Sequence, residues 1–232
     1  MAFSEDIKTR IYGYCNKHLP EETKYEEDLD FIEDEDLRER LIAELKGTRF
    51  AYKLYEGISA QGENLIFEVR HQILSYASIY EAIIHYVLFT YYSDTIEFHN
   101  MQYHLAPTKI DIPETKRIQL REALIHDGKD IIPYYMKEKK VEDSQIRFDS
   151  KCDVCVQLGL LHSIVNNEGQ TVDLVQQIKD IYSYRNAIHI MAERRKGIDY
   201  ELDMSKRAYW RIEPFIAQIK SKLKEDKKGI YA

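Results

Sequence analysis

Glycine and proline are scarce. The chain has 9 and 5 of them in 232 residues, about half of the combined share of about 12% in average proteins. That scarcity excludes collagenous, linker-rich and turn-dense all-β architectures. Cysteine is rarer still at 3 residues, an odd number that fits a reducing compartment better than a disulfide framework. Long apolar runs are missing as well: the richest stretch, Ile73 to Phe89, is interrupted by Ser75, Ser78, Glu81 and His85. No membrane span is expected. The N-terminal MAFSEDIKTRIYGYC lacks the basic-then-apolar order of a signal peptide, so the expected compartment is the cytoplasm. Positive charge is not in excess either. With 33 basic and 40 acidic residues the net charge is −7, which argues against a protein that grips duplex DNA through a broad cationic surface while leaving room for a local basic site. Internal repeats and low-complexity tracts are absent.

What remains is the composition of a globular chain with a sizeable core, 44% hydrophobic and 31% charged. The length suits one domain over 1–232, with 1–35 as an acidic N-terminal extension and 100–145 as a loop-rich insert. The acidic stretch from Glu21 to Glu39 reads as a solvated loop leading into a helix. From Asp36, Leu37, Leu41, Ile42, Leu45, Phe50 and Leu54 follow helical spacing, and Gly57 with Gly62 punctuate the end. Asn64 to about His99 carries the widest apolar stripe and predicts a long central helix touched on several sides. Pro107 and Pro113 block helix in the insert, and a shorter helix is expected from Glu114 to Ile125, ending at His126-Asp127-Gly128. Asp149 to Leu161 reads as a helix with Asp149 or Ser150 as N-cap. A turn is expected at Asn166-Asn167-Glu168-Gly169, then a helix from Thr171 through Met191 stopped by Lys196-Gly197. The last helix starts near Asp203 or Ser205, runs to about Lys224 and is kinked before Pro214. The expected fold is an all-α bundle of five or six helices.

The string Tyr182-Ser183-Tyr184-Arg185-Asn186-Ala187-Ile188-His189-Ile190 carries the chemistry. On a continuous helix, positions four apart return to within about 40° of each other, so Arg185 and His189 share a face with Asn186 beside them. For phosphodiester cleavage, an imidazole exchanges protons near neutral pH, and a guanidinium fork holds a phosphate and stabilises charge on its oxygens. A structural reading is that Arg185 pairs with an acidic neighbour such as Glu81 and that His189 caps a bundle contact.

The string YRNAIHI, with SYASIYEAIIHYVL and CVQLGLL upstream, resembles the HEPN superfamily of small α-helical domains. Its hallmark is an arginine, often followed by asparagine, then four to six residues and a histidine. Here three residues separate Arg185 from His189, which changes their angular offset by about 100° for each residue missing from an α-helix. The resemblance spans about Asn64 to Leu223 and implies a metal-independent endoribonuclease that cleaves single-stranded RNA and leaves a cyclic phosphate. It also implies a homodimer that brings two motif helices together, and a toxin or phage-defence setting with an antitoxin or other defence partner. Arg185, Asn186 and His189 become the catalytic set. Glu81, the one charged residue in its apolar stretch, becomes the residue that orients Arg185. A non-catalytic HEPN-like module that dimerises or binds a nucleotide or a protein is the alternative.

Arg194, Arg195 and Lys196 form the main basic concentration, placed to hold RNA phosphates or to favour a helix end through its dipole. The 18 tyrosines supply rings for stacking on unpaired bases or for core and interface packing. Cys152-Asp153-Val154-Cys155 is a lone C-x-x-C without a second close pair, Cys15 and His162 being the nearest candidates by type. It reads as two small apolar helix residues. No metal and no cofactor are expected.

Overall fold

The Asp34 carboxylate accepts a hydrogen bond from the Leu37 N–H at 3.0 Å, and Glu35 and Asp36 occupy the first turn that follows. Cap and dipole together start a helix there. In the computed structural model, which describes residues 2–123, 128, 132–166 and 168–232, this helix is the third of four in the N-terminal part: α1 (Glu5–Lys17), α2 (Glu22–Asp28), α3 (Glu35–Gly57) and α4 (Gly62–Tyr91). The stretch expected as a solvated acidic loop contains α2, and Tyr25, Leu29, Phe31 and Ile32 are buried in the core. Four apolar anchors among the acids outweigh the local charge, which the helix turns towards solvent.

The expected central helix is α4. Val69, Ile73, Tyr76, Tyr80, Ile83, Ile84, Val87 and Leu88 are buried along it, and α3, α7, α8 and α10 pack against it. Its length and composition would also suffice to cross a membrane, yet 56% of its apolar window is buried inside the protein. Buried tyrosine hydroxyls need partners. Tyr80 donates to the Ala208 carbonyl at 2.8 Å and Tyr91 to the Phe31 carbonyl at 2.6 Å.

The chain continues through α5 (Ile96–Gln102), β1 (Tyr103–Lys109), α6 (Glu114–Ala123), β2 (Tyr134–Lys140) and α7 (Phe148–Gln157). The insert expected as loop-rich therefore holds an antiparallel ribbon, Tyr103 opposite Lys140 and Lys109 opposite Tyr134. Pro107 is tolerated because a two-stranded ribbon leaves half of its backbone donors without a strand partner. The expected helix end at Ile125 and the turn at His126-Asp127 lie outside the described residues. Helix α7 begins one residue earlier than expected, after Arg147, and neither Asp149 nor Ser150 is its N-cap.

A short antiparallel pair, β3 (Ile164–Val165) and β4 (Thr171–Val172), brackets the expected turn at 166–169, of which Asn167 lies outside the described residues. The Asn166 side chain accepts from the Glu168 and Gln170 N–H groups, and Gly169 takes a positive φ of 76°. Thr171 and Val172 are thus strand, not helix. The Asp173 carboxylate caps α8 (Leu174–Asn186) by accepting from the Gln176 N–H at 2.9 Å. The expected continuous helix through Met191 is interrupted: α8 ends at Asn186 and α9 (Ile190–Lys196) follows, closed by Gly197 at φ 62°. The last expected helix is likewise two, α10 (Leu202–Trp210) and α11 (Ile212–Glu225), with the break just before Pro214. In the first turn of α11 the missing proline N–H costs nothing. The described residues are mostly helical, as expected, with more and shorter helices than five or six.

Candidate functional site

Packing of α8 and α7 against α4 leaves a cleft of about 1150 Å³ between them. Helix α4 supplies Glu81, His85 and Phe89; the start of α7 supplies Phe148, Asp149 and Lys151; α8 supplies Tyr182, Ser183 and Asn186. Glu81 and His85 are four residues apart, so one helix face carries both.

Tyr182 organises one wall. Its hydroxyl donates to Glu81 Oε1 at 3.0 Å, and its ring stacks on Phe148 with centroids 4.1 Å apart. The Arg185 guanidinium lies over the same ring, 5.3 Å from its centroid, and donates to Asn186 Oδ1 at 3.0 Å. The expected Glu81–Arg185 pair is therefore replaced by a chain in which Tyr182 stands between them. A phenol hydrogen-bonded to the carboxylate satisfies Glu81 without burying an ion pair. Burial and the adjacent Glu81 charge raise the Tyr182 pKa, keeping the hydroxyl a donor.

One turn further along α4, the His85 ring stacks on Phe89 at 4.0 Å and places Nδ1 3.2 Å from Lys151 Nζ. Lys151 is only 5% exposed. Burial, and then the Lys151 charge, lower the His85 pKa, while burial lowers that of Lys151. Two adjacent groups whose burial disfavours their charged forms are suited to proton transfer.

The motif residues divide. Arg185 and Asn186 occupy the last turn of α8, and Asn186 lines the cleft. His189 is exposed, precedes α9, and is not among the residues lining the cleft; its carbonyl accepts from the Ala192 and Glu193 N–H groups and so starts α9. Because the helix ends between them, Arg185 and His189 do not share one helical face, and the angular offset of a continuous helix does not apply. The break is held from α4: Arg70 donates to the Ile188 carbonyl, pairs with Glu193 at 3.1 Å and lies over the Tyr200 ring. Arg194, Arg195 and Lys196 form the exposed last turn of α9. Of the three, Lys196 reaches the cleft, donating to Ser183 Oγ at 3.2 Å.

Cys152 and Cys155 are buried inside α7. Burial pushes the Cys152 thiol up to about 12 and raises the Cys155 thiol well above its ordinary value, against the thiolate that redox or metal chemistry uses. Among the described residues, no group of three or more His, Cys, Asp or Glu side chains is placed to hold a metal ion. Neither His85 nor Lys151 is among the catalytic or binding residues expected from the sequence. The spacing of Glu81 and His85 signals the first; nothing in the string around Lys151 signals the second. No family model, curated protein or solved structure matches this chain.

Proposed function

We propose that this chain is a HEPN-like, metal-independent endoribonuclease acting on unpaired RNA as a homodimer. The carrying observation is the locked pair of Arg185 and Asn186 beside a cleft, with an exposed imidazole, His189, just past the end of the same helix. In this reading the ribose 2′-oxygen attacks phosphorus, the bond from phosphorus to the 5′-oxygen breaks, and a cyclic phosphate forms. His189 accepts the 2′-hydroxyl proton or supplies one to the departing 5′-oxygen, and Arg185 stabilises the charge on the phosphoryl oxygens. Asn186 fixes the guanidinium, since its amide oxygen takes one N–H of the fork. Unpaired RNA fits because its sugar can rotate into line with the scissile bond, and Tyr182 and Phe148 present rings beside the cleft.

The test is cleavage of total RNA in EDTA by the wild type and by His189→Ala. His189 is exposed, so its loss leaves the core intact. Activity should survive chelation and fall by at least about a hundredfold in the variant, the scale of a lost general acid or base. A requirement for magnesium, or equal activity in the variant, removes the mechanism. One observation favours a second reading, a non-catalytic binding module: His189 does not line the cleft that Asn186 lines. In that case RNA or a nucleotide binds to both proteins and neither cleaves it.

A further inference from the structure

Lys151 lines the cleft and is 5% exposed. Its polar contact is a ring nitrogen, His85 Nδ1 at 3.2 Å, which carries no negative charge. A buried ammonium without a direct ion pair is costly. Glu81 and Asp143 lie near enough to favour the Lys151 charge, but the carboxylates of the cleft make their direct contacts elsewhere. Asp34 caps α3, Glu81 accepts from Tyr182, Asp143 accepts from Gln102 Nε2 at 2.8 Å, and Asp149 pairs with Arg147 at 3.4 Å. Lys196 contacts a hydroxyl, Ser183 Oγ, and like Lys151 has no ion pair among the described residues. Two ammonium groups and the imidazole of His85 thus border one cavity, while each carboxylate of that cavity already holds a donor.

We propose that this cleft is a phosphoryl-binding site in which Lys151, His85 and Lys196 contact the oxygens of a phosphate ester. The bound anion supplies the direct ion pair that Lys151 lacks. His85 accepts from Lys151 at Nδ1 and then carries its proton on Nε2, so it donates to the anion without being charged. Tyr182 and Phe148, stacked on one another at 4.1 Å, form an apolar wall for whatever the phosphate is attached to. The proposal stands whether or not the chain cleaves RNA, because it uses neither Arg185 nor His189.

The test is thermal unfolding of the full chain with increasing inorganic phosphate, against chloride at matched ionic strength. The wild-type midpoint should rise and saturate, as linkage to a site present only in the fold requires. Lys151→Met should fold with a midpoint at or above that of the wild type in phosphate-free buffer, since a buried charge has been replaced by an apolar chain of similar length. It should lose the rise with phosphate. Lys196→Ala, at an exposed position, keeps the test decisive if Lys151→Met does not fold, and should weaken phosphate binding by roughly tenfold, the scale of one charge-assisted hydrogen bond. Absence of a saturable rise in the wild type, or an unchanged rise in either variant, overturns the proposal. A single-stranded RNA oligonucleotide bound to His189→Ala gives the source of the phosphate. Competition by inorganic phosphate assigns the site to the RNA backbone, whereas RNA and phosphate binding together without competition assigns it to a small phosphate ester. Failure of RNA cleavage leaves the phosphate-dependent midpoint untouched, so the two readings fail separately.

Discussion

At the scale of single residues, His85 shows how a side chain can be typical of a core in sequence and unusual in place. Stacking on Phe89 fixes its ring, and the facing groups are Lys151 at 3.2 Å with Asp143 and Glu81 further off. Burial and the Lys151 charge win over the two carboxylates and lower the His85 pKa below its ordinary 6.5. The unfolded chain therefore takes up the His85 proton first as pH falls through about 6.5, so it binds more protons than the folded chain there. Stability contributed at this position is complete above that pH and is lost as pH falls towards the folded value. Urea unfolding of the wild type and of His85→Gln from pH 7 to pH 5, in phosphate-free buffer, isolates the effect from the other histidines. The stability of the wild type minus that of the variant should decrease with acidification. A constant difference, or one that grows, contradicts the placement of His85 beside Lys151.

At the scale of elements, the break between α8 and α9 decides where the motif histidine stands. Tyr184, Ile188 and Met191 keep helical spacing across it, so local pattern reads straight through. At the break stands Arg70, 118 residues away from Ile188 in sequence, whose guanidinium donates to the Ile188 carbonyl and pairs with the Glu193 carboxylate. Arg70→Met should release this junction. Amide exchange at Ala192 and Glu193, the donors to the His189 carbonyl, should accelerate, and global stability should drop by about 1.5–3 kcal/mol, the range for hydrogen bonds to a charged group. Unchanged exchange at those two amides would show that α9 starts without Arg70. The same contrast explains what the sequence makes legible. Helix α4 is readable because its apolar stripe is wide and unbroken, and the stop at Gly197 because glycine favours the left-handed region. The ribbon of β1 and β2 is not readable, since β2 is exposed along its whole length and shows no alternation of apolar and polar residues. Within the site, Glu81 and Asn186 are legible by residue type and spacing, whereas His85, one turn from Glu81, reads as a core or edge histidine. Lys151 becomes informative only through its burial, which depends on α4 and α7 meeting.

At the scale of the whole molecule, one copy offers a single Arg185, Asn186 and His189 set, few groups for an acid, a base and a charge stabiliser together. In the proposed homodimer, a two-fold axis beside the α8–α9 junction would bring two histidines and two arginines around one phosphate. The surface carries apolar groups for such a contact. Phe67 and Leu74 lie seven residues apart on α4, nearly the same face, at 64% and 39% exposure. Met191, two residues beyond His189, is 75% exposed. Burying these groups against their symmetry mates contributes at roughly 25 cal/mol per Å² of apolar area before the costs of association. The net charge of −7 opposes association only through a long-range term that physiological salt largely screens. Sedimentation should therefore find a dimer at micromolar concentration, and Phe67→Asp should shift it to monomer by placing two carboxylates in the contact. Mixing His189→Ala with Arg185→Ala protomers, both first shown to be folded, should restore part of the cleavage that each lacks alone, because each mixed dimer keeps one intact histidine and one intact arginine. A wild-type monomer at micromolar concentration rules out the shared site, and a dimer whose mixed form stays inactive confines catalysis to residues of a single copy.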